Sequence, residues 1–261
     1  MRITLILSVL ISTALIIPLP RDRRSGGTFI GAVIASDGIV VASDSRTTFL
    51  NESDKPMGYL DGMKKIYAGS GGAVAVSGLT SLGGELFDSF MQRSAFLLDR
   101  APNEVLFGLS VWLPFKNSTN VMLISAGFVD GKPTICSRAV VQPQQCQDNG
   151  FIGSRPSAEI GDWFSIPRSS APKSAEAAVE LEKAIAQIAA ADNTVGGAVS
   201  VIQLKLSAPP QWLKNPPVDH GWKTICDITK DYHAGRIKFG ITSSKDELDR
   251  YLNSSCRQLI N

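Results

Sequence analysis

Residues 26–46 read GGTFIGAVIASDGIVVASDSR, and this stretch decides the fold. Two apolar runs, 29–36 and 39–43, flank the dipeptide Asp37-Gly38. Such a dipeptide supplies positive φ angles and is typical of the two-residue turn of a β-hairpin. The two runs are therefore predicted to pair as antiparallel strands.

The hairpin begins at Thr28, and this threonine is the candidate nucleophile. If the chain is cut between Gly27 and Thr28, the new α-amine lies beside the Thr28 hydroxyl. An α-amine has an unperturbed pKa of about 7.7–8.0, so it can accept the hydroxyl proton near neutral pH. Cleavage of the Gly27-Thr28 bond is therefore predicted to activate an enzyme.

Composition and charge exclude several classes of function. The chain has 261 residues, with 26 basic and 24 acidic side chains and a formal net charge of +2, and its length fits one main domain. No long basic run is present, so nucleic-acid binding is not expected. His220 and His233 lie at no zinc-ligand spacing, so we expect no metal and no cofactor. The sequence also lacks the phosphate-binding, dinucleotide-binding and α/β-hydrolase nucleophile motifs.

The N-terminal residues 1–27 resemble a targeting segment. An uncharged apolar run, residues 3–20, is followed by the mostly basic residues 21–24, and this pattern is typical of a secretory signal. We therefore expect a secreted or periplasmic protein, with a signal and propeptide segment followed by one domain at 28–261; an uncleaved run would instead be a membrane anchor. No small-x-small site lies close to Thr28, so signal removal and exposure of Thr28 are expected to be separate events, the second by self-cleavage.

Beyond the hairpin, blocks of strands and helices follow one another. Residues 47–63 are polar and rich in turn formers, and we interpret them as a loop. Apolar periodicities predict strands at 64–68, 73–77, 120–128, 134–141, 151–152 and 198–206, and helices at 80–98, 105–113, 174–191 and 245–258. Ser174 is expected to cap the helix at 174–191. This order favours an α+β layered domain over a βαβ repeat.

The four cysteines are expected to form two disulfides. They lack the C-x-x-C spacing of metal and redox sites, and four thiols allow three pairings. In an exported chain we expect Cys136 to pair with Cys146, across one hairpin connection, and Cys226 with Cys256. The alternative is four buried free thiols.

Several motifs occur in one order and together carry a resemblance. They are Gly27-Thr28, Asp44-Ser45-Arg46, Lys65, Ser77-Gly78, Gly153-Ser154 and Asp192-Asn193-Thr194-Val195-Gly196-Gly197. In these motifs the chain resembles proteasome β-subunits and related bacterial proteasome-like peptidases, which are N-terminal-nucleophile (Ntn) hydrolases of the threonine peptidase family. The loop before Lys65 is longer than is usual in that family. The resemblance covers roughly residues 26–206, and the residues after about 207 form a divergent C-terminal extension.

The resemblance implies an α+β fold of four layers, an αββα sandwich of two antiparallel sheets flanked by helices. It also implies a role for each matched residue. Thr28 is the nucleophile and its terminal amine the base, while the charge of Lys65 favours the developing alkoxide and Asp44 orients that lysine. The Gly78 amide meets the oxyanion.

Two further matched residues, Ser154 and Asp192, are expected to position the terminal amine. Val195 is a departure, because the family usually has a serine at this position. Without that hydroxyl, Ser154 and Asp192 have one partner fewer, so catalysis is expected to be less efficient.

The resemblance also suggests a pocket, a substrate and partners. Thr47, Met63 and Val76 resemble the positions that line the family's specificity pocket, and their mostly apolar character favours cleavage after apolar residues. We expect a self-processing endopeptidase that acts on peptides or unfolded proteins and assembles as a homo-oligomeric ring or half-ring. Since ATP is scarce outside the cytoplasm, no ATP-driven unfoldase is expected. A non-catalytic proteasome-like scaffold and an Ntn amidase of small-molecule amides are the alternatives.

Overall fold

The computed structural model describes residues 28–51, 53, 55–78, 81–82, 85–112, 121–139, 142–154 and 171–257. The predictions for residues 1–27, including Gly27 as the activation-bond residue, lie outside these ranges. Within the ranges, no helix is both long enough and apolar enough to cross a bilayer.

The described residues form short antiparallel strands and five α-helices, so the predicted α+β class is confirmed. The strands are β1 (Ile30–Ala35), β2 (Gly38–Ser43), β3 (Thr47–Leu50), β4 (Pro56–Leu60), β5 (Ile66–Gly69), β6 (Gly72–Ser77), β7 (Ser81–Leu82), β8 (Glu85–Leu86), β9 (Met122–Val129), β10 (Lys132–Ala139), β11 (Gln145–Gln147), β12 (Phe151–Gly153), β13 (Ser200–Leu204), β14 (Gln211–Lys214) and β15 (Gly240–Ile241). The helices are α1 (Phe87–Arg93), α2 (Pro102–Trp112), α3 (Ser174–Ala191), α4 (Ile225–His233) and α5 (Lys245–Arg257), with a 3-10 helix at Ala95–Asp99.

Two five-stranded sheets form the centre of the molecule. Their strand orders are β12-β1-β2-β13-β14 and β11-β10-β9-β6-β5. Side chains from both sheets form one buried cluster: Ile30, Ala32, Ile34, Ile39, Val41, Ile66, Ala73, Ala75, Ile124, Ala126, Ile135, Ile202 and Leu204. Each large aliphatic side chain buried in this way contributes about 1.5–3 kcal/mol, so the packing of one sheet on the other stabilises the fold strongly.

Helices pack against the other face of each sheet. Because side chains alternate along a strand, Val33 of β1 points away from the cluster between the sheets. It packs instead with Leu181 and Ile185 of α3. On the second sheet, α1, the 3-10 helix and α2 pack on Val74, Val76 and Leu123.

A further buried cluster lies outside the two large sheets, and we call it the third cluster because it belongs to neither of them. It consists of Phe49, Met57, Leu60, Leu86, Trp222, Ile225, Ile228, Phe239, Leu248 and Leu252, and it includes a small sheet of order β15-β4-β3. The interpretation of residues 47–63 as a loop is therefore wrong, since β3 and β4 form a hairpin there. The apolar side chains of this hairpin are buried by α4, α5 and Phe239, which follow some 170 residues later in the sequence.

The first hairpin forms as predicted, but its turn is displaced by one residue. Ala35 pairs with Gly38, so the turn residues are Ser36 and Asp37. Gly38 belongs to β2 at φ 150°, and a Cβ there would lie 2.3 Å from the carbonyl oxygen of Leu204. Glycine is therefore required by the close approach of β13 and not by the turn.

Two other predictions need correction, and two elements were not predicted. The helix predicted at 80–98 begins only at Phe87, because Glu85 and Leu86 are extended in β8 and Leu86 N donates to Lys223 O. Ser174 is the first residue of α3 and Lys173 its N-cap, since both the amide and the hydroxyl of Ser174 donate to Asp37 Oδ1. The strand β14 and the helix α4 have no counterpart in the sequence-based predictions.

Both predicted disulfides are confirmed. Cys136 and Cys146 lie opposite each other in the β10–β11 pair, with Cα atoms 4.0 Å apart. Cys226 of α4 is bonded to Cys256 of α5, with Cα atoms 4.8 Å apart. The first bond fixes an edge of the second sheet, and the second bond joins the two helices of the third cluster.

Candidate active site

The pairing of β1 with β2 brings Thr28 close to Asp44. Ile30 and Ser43 are paired residues, so the residues just before β1 and just after β2 are neighbours. Phe29 N donates to Asp44 Oδ1 at 2.9 Å, and Asp44 N donates to Phe29 O at 3.2 Å. The hairpin therefore holds the candidate nucleophile and the matched carboxylate in a fixed relation.

Lys65 reaches this pair from the other sheet, where it directly precedes β5. Its Nζ donates to Thr28 Oγ1 at 2.8 Å and to Asp44 Oδ1 at 3.0 Å. It also donates to the carbonyl oxygen of Arg46. The Lys65 amine thus contacts the threonine hydroxyl, the carboxylate and a main-chain carbonyl.

All three side chains of this group are buried. The residue exposures are 8% for Thr28, 0% for Asp44 and 5% for Lys65. Burial lowers the pKa of the Lys65 amine, and the adjacent Asp44 opposes this effect without cancelling it. A buried lysine with a lowered pKa is suited to accept a proton from a neighbouring hydroxyl.

Both oxygens of Asp44 are held by donors. Oδ1 accepts from Phe29 N and Lys65 Nζ. Oδ2 accepts from Arg46 N at 3.2 Å and from Gly196 N at 3.0 Å. A carboxylate held by several donors has little rotational freedom, so it fixes the position of the lysine.

Two serine hydroxyls contact the carbonyl oxygen of Thr28. Ser154 Oγ donates to it at 3.2 Å and accepts from Ile30 N at 3.1 Å. Ser77 Oγ donates to it at 3.3 Å. Gly78 follows Ser77 at the end of β6 with φ 77°, a left-handed conformation that favours glycine. The structure thus places Ser154 and the Ser77-Gly78 turn beside Thr28.

Asp192 follows α3 and organises the next turn. Its Oδ1 accepts from Thr194 N at 2.9 Å and from Thr194 Oγ1 at 2.5 Å. Val195 is 1% exposed and belongs to the cluster beneath α3 that contains Phe29. The position matched to a serine of proteasome-like peptidases is therefore filled by an apolar side chain that packs in the same cluster as Phe29. The role of Asp192 at the terminal amine stays a prediction.

The paired glycines after Val195 leave room for the Arg46 side chain. A Cβ on Gly196 would lie 2.8 Å from the Arg46 guanidinium carbon. A Cβ on Gly197, at φ 73°, would lie 2.5 Å from Ser45 Oγ. These glycines are therefore needed both for their conformation and for the close approach of Ser45 and Arg46.

Sequence reasoning assigned no role to Ser77, to the Arg46 carbonyl or to the Gly196 amide. Ser77 and Gly196 lie inside matched motifs, and this was the only sequence feature that could have pointed to their roles. Main-chain donors and acceptors leave no mark on residue type, so no sequence signal pointed to the Arg46 carbonyl.

The three predicted pocket residues lie in different surroundings. Val76 is buried beneath α1 and α2, whereas Met63 packs at the margin of the third cluster. Thr47 begins β3 and pairs with Leu60. The structure does not place them in one common apolar cluster, and the preference for apolar substrates stays a prediction.

The arrangement is suited to nucleophilic acyl transfer. A hydroxyl, an amine with a lowered pKa and a fixed carboxylate form one hydrogen-bonded chain, as activation of a weak oxygen nucleophile requires. Among the described residues, no three His, Cys, Asp or Glu side chains lie together in a way that would hold a metal ion.

Comparison with known proteins defines the fold only at the level of a class. No protein-family model matches the chain, and no curated protein matches it. The solved structures that match the chain include one of a bacterial proteasome-like protein, and the chain thus has a distant proteasome-like fold.

The solved structure is that of the Gly-1 mutant of Anbu from Hyphomicrobium sp. strain MC1. The TM-score is 0.51 and the sequence identity 13%, and the match covers 90% of this chain and 97% of that chain. At this identity the likeness concerns the fold alone.

Proposed function

We propose that this chain is a self-processing N-terminal threonine hydrolase that cleaves peptide bonds. One observation carries the proposal: the buried Lys65 Nζ lies 2.8 Å from Thr28 Oγ1 and 3.0 Å from Asp44 Oδ1. A structural ion pair between Lys65 and Asp44 requires no hydroxyl. The hydroxyl therefore favours a catalytic role for the pair.

The layer arrangement of the Ntn hydrolases is part of this proposal. The buried cluster between the two five-stranded sheets supports the two inner layers. The packing of α3 on the first sheet, and of α1 and α2 on the second, supports the two outer layers. The αββα sandwich implied by the sequence motifs fits these contacts.

In the uncut chain, Lys65 acts as the base. The Thr28 nitrogen is then an amide, which accepts no proton near neutral pH. Thr28 Oγ attacks the carbonyl carbon of Gly27 and passes its proton to the neutral Lys65 amine. The carbon–nitrogen bond breaks, an ester forms on Thr28 Oγ, and Lys65 returns the proton to the departing amine. Water hydrolyses the ester, so Gly27 leaves with a free carboxylate.

In the processed enzyme, the same groups act on a substrate. Thr28 Oγ attacks the scissile carbonyl, and Lys65 or the new terminal amine accepts its proton. The Gly78 amide is assigned to the oxyanion, where loss of one donor in other hydrolases costs about 10²–10³-fold in rate. Ser154 and Asp192 are assigned to the terminal amine. The proposed products are shorter peptides.

Export and partners belong to the same proposal. Two disulfides favour an oxidising compartment, in agreement with the apolar N-terminal run. Peptides or unfolded proteins are the proposed substrates, and a homo-oligomeric ring or half-ring the proposed assembly. An ATP-driven unfoldase is not part of the proposal.

The test compares the wild-type protein with Thr28→Ala and Thr28→Ser. Intact mass is expected to show that the wild-type chain begins at Thr28, and a peptide boronate or β-lactone is expected to modify this residue. Thr28→Ala is expected to keep the bond between residues 27 and 28 and to take no label, while Thr28→Ser retains some processing because it keeps a hydroxyl. A wild-type chain that stays uncut and unlabelled would refute the proposal.

A non-catalytic scaffold is the second candidate, and Val195 is the observation that favours it. The buried valine replaces a hydroxyl that the family uses near the terminal amine. Under the main proposal, Val195→Ser raises the labelling rate or leaves it unchanged, whereas in a scaffold neither the wild type nor the variant is labelled. Comparing turnover of a peptide library with turnover of small amides separates the peptidase from an amidase.

A further inference from the structure

Arg46 connects the candidate active site to the small sheet β15-β4-β3. Its carbonyl oxygen accepts from Lys65 Nζ. Its side chain points to other partners: Nε and Nη2 donate to the two oxygens of Asp61 at 2.7 and 3.0 Å, and Nη1 donates to Asn193 O at 2.8 Å. One residue therefore contacts the lysine through its main chain and the small sheet through its side chain.

Tyr59 of β4 contributes an aromatic face to this arrangement. The guanidinium carbon of Arg46 lies 3.7 Å from the centre of the Tyr59 ring. Tyr59 is paired with Gly240 of β15, and a Cβ on Gly240 would lie 2.1 Å from the ring. A residue of the C-terminal extension must therefore be glycine for the ring to lie over it and contact Arg46.

Asp61 fixes the guanidinium in its plane. A bidentate contact between arginine and a carboxylate is more rigid than a single hydrogen bond. The Arg46 side chain is only 16% exposed, while that of Asp61 is 41% exposed. The pair thus lies at the surface of the site, with the arginine enclosed between Tyr59 and the turn at 193–197.

We propose that Tyr59 and Asp61 are positioning residues for Lys65 and act on it through Arg46. On this view the C-terminal extension supports the chemistry at Thr28, because Gly240 leaves the space that the Tyr59 ring occupies. The inference rests on the proposed function and deepens it.

The physical basis is the precision that proton transfer requires. If Arg46 loses its side-chain contacts, its carbonyl oxygen shifts and the Lys65 amine moves with it relative to Thr28 Oγ1. A displacement of about 1 Å in a reacting group can cost about 10²-fold in rate. The charged groups that act on Lys65 are Asp44 and Asp61, which favour its protonated form, and Arg46, which opposes it.

The experiment uses the full-length protein and four variants. Tyr59→Leu removes the aromatic face, Tyr59→Phe keeps it, and Asp61→Asn removes the carboxylate. Glu85→Gln is the matched control, because it removes a carboxylate from another bidentate contact, with Arg93, that does not touch Arg46 or Lys65. The readouts are the rate of Thr28 modification by a peptide boronate across pH, kcat and KM on a peptide substrate, and the unfolding temperature.

The variants are expected to differ in rate and not in substrate binding. Measured well below its unfolding temperature, Tyr59→Leu lowers both the rate of modification and kcat by about 10-fold and changes KM little. Tyr59→Phe and Glu85→Gln retain the wild-type rate. Asp61→Asn lowers the rate and moves the rising limb of the pH profile to lower pH, because an anion that favours protonated Lys65 is gone.

Two results separate this inference from the proposed function. A labelled wild type with equal rates and equal pH profiles in Tyr59→Leu and Asp61→Asn overturns the inference alone. A wild type that takes no label overturns the proposed function, and the inference with it. If Tyr59→Leu does not fold, the half-exposed Asp61→Asn decides the question.

Discussion

The central sheets and the third cluster are held together in different ways. In the centre, all six residues of β1 are buried, and side chains of two paired sheets fill the space between them. In the third cluster the strands are shorter, and β15 has only two residues. Aromatic contacts and a disulfide contribute instead: the Phe239 ring centre lies 5.2 Å from that of Phe49 and 5.0 Å from that of Tyr232.

This difference explains why the centre is suited to hold reacting groups and the third cluster is not. A reacting group needs a rigid surrounding, and the hydrogen-bonded sheets provide it for Thr28, Asp44 and Lys65. The third cluster joins the β3–β4 hairpin to the distant C-terminal extension and contacts the site at its margin. Substitutions in the centre are therefore expected to change the rate most, and loss of cross-links in the third cluster to change stability.

The largest effect is expected from Lys65→Arg. Arginine keeps the positive charge beside Asp44 but does not release a proton in proteins. If Lys65 is the base, self-cleavage and labelling of Thr28 fall by about 10²–10⁴-fold. Intact mass and labelling kinetics measure both.

Lys64→Arg is the matched control for this substitution. Lys64 is the adjacent residue, and its Nζ lies 3.3 Å from Asp88 Oδ1. We expect wild-type labelling in Lys64→Arg. Wild-type labelling in Lys65→Arg would show that the positive charge is sufficient and would contradict the base role.

Removing the disulfides compares the stability of the two regions directly. The chain-entropy relation predicts a loss of about 3.6 kcal/mol for Cys226–Cys256, with a sequence separation of 30, and about 2.7 kcal/mol for Cys136–Cys146, with a separation of 10. Urea unfolding of the two paired Cys→Ser variants measures these losses. A larger loss at Cys136–Cys146 would mean that strain or packing, and not loop length, decides the difference.

The pH dependence of stability reports on the buried Lys65. Its pKa is lowered mainly by burial, so the folded chain releases the proton at a lower pH than the unfolded chain, whose lysines have a pKa of about 10.4. Between these two values the unfolded state binds more protons, and the free energy of unfolding therefore rises with pH. Urea unfolding over this pH range is expected to show the rise in the wild type and a flatter curve in Lys65→Met. Equal slopes would contradict a lowered pKa.

Much of the centre could be predicted from sequence because its patterns are local. The β1–β2, β5–β6 and β9–β10 pairs and the helix α3 each follow from apolar periodicity within one short segment. The motif order also identified Thr28, Asp44, Lys65 and Ser154, which the structure brings together. A local pattern is sufficient to predict a strand or helix when the apolar face of that element lies within one segment of the sequence.

The third cluster could not be predicted, since no segment of it is complete alone. Phe49 and Met57 stand among polar and turn-forming residues, and they become buried only against Phe239, Leu248 and their neighbours. The contacts of Arg46 are equally hidden, because they join a motif residue to Tyr59 and Asp61, which belong to none of the matched motifs. Contacts between distant segments leave little periodic signal in either one.

The smallest effect on stability is expected when one carboxylate is neutralised at the start of a helix, α3 in the centre or α4 in the third cluster. Asp37 accepts from the amide and hydroxyl of Ser174 at the start of α3, and Asp227 accepts from the amides of Lys223 and Thr224 at the start of α4. Burial alone would raise the pKa of both carboxyl groups, but these hydrogen bonds outweigh it and the pKa of each is lowered.

Asp37→Asn and Asp227→Asn are each expected to cost about 0.3–1 kcal/mol near neutral pH, because an anion at a helix N-terminus is lost. A carboxyl group with a lowered pKa stabilises the fold above its unfolded pKa of about 3.9, and this contribution disappears as the pH falls through the folded value. Urea unfolding at neutral pH and near pH 2.5 tests both variants. A cost that persists at the lower pH would assign it to the geometry of the amide and not to the lost charge. A cost confined to Asp227→Asn would show that the third cluster depends more on its helix caps than the centre does.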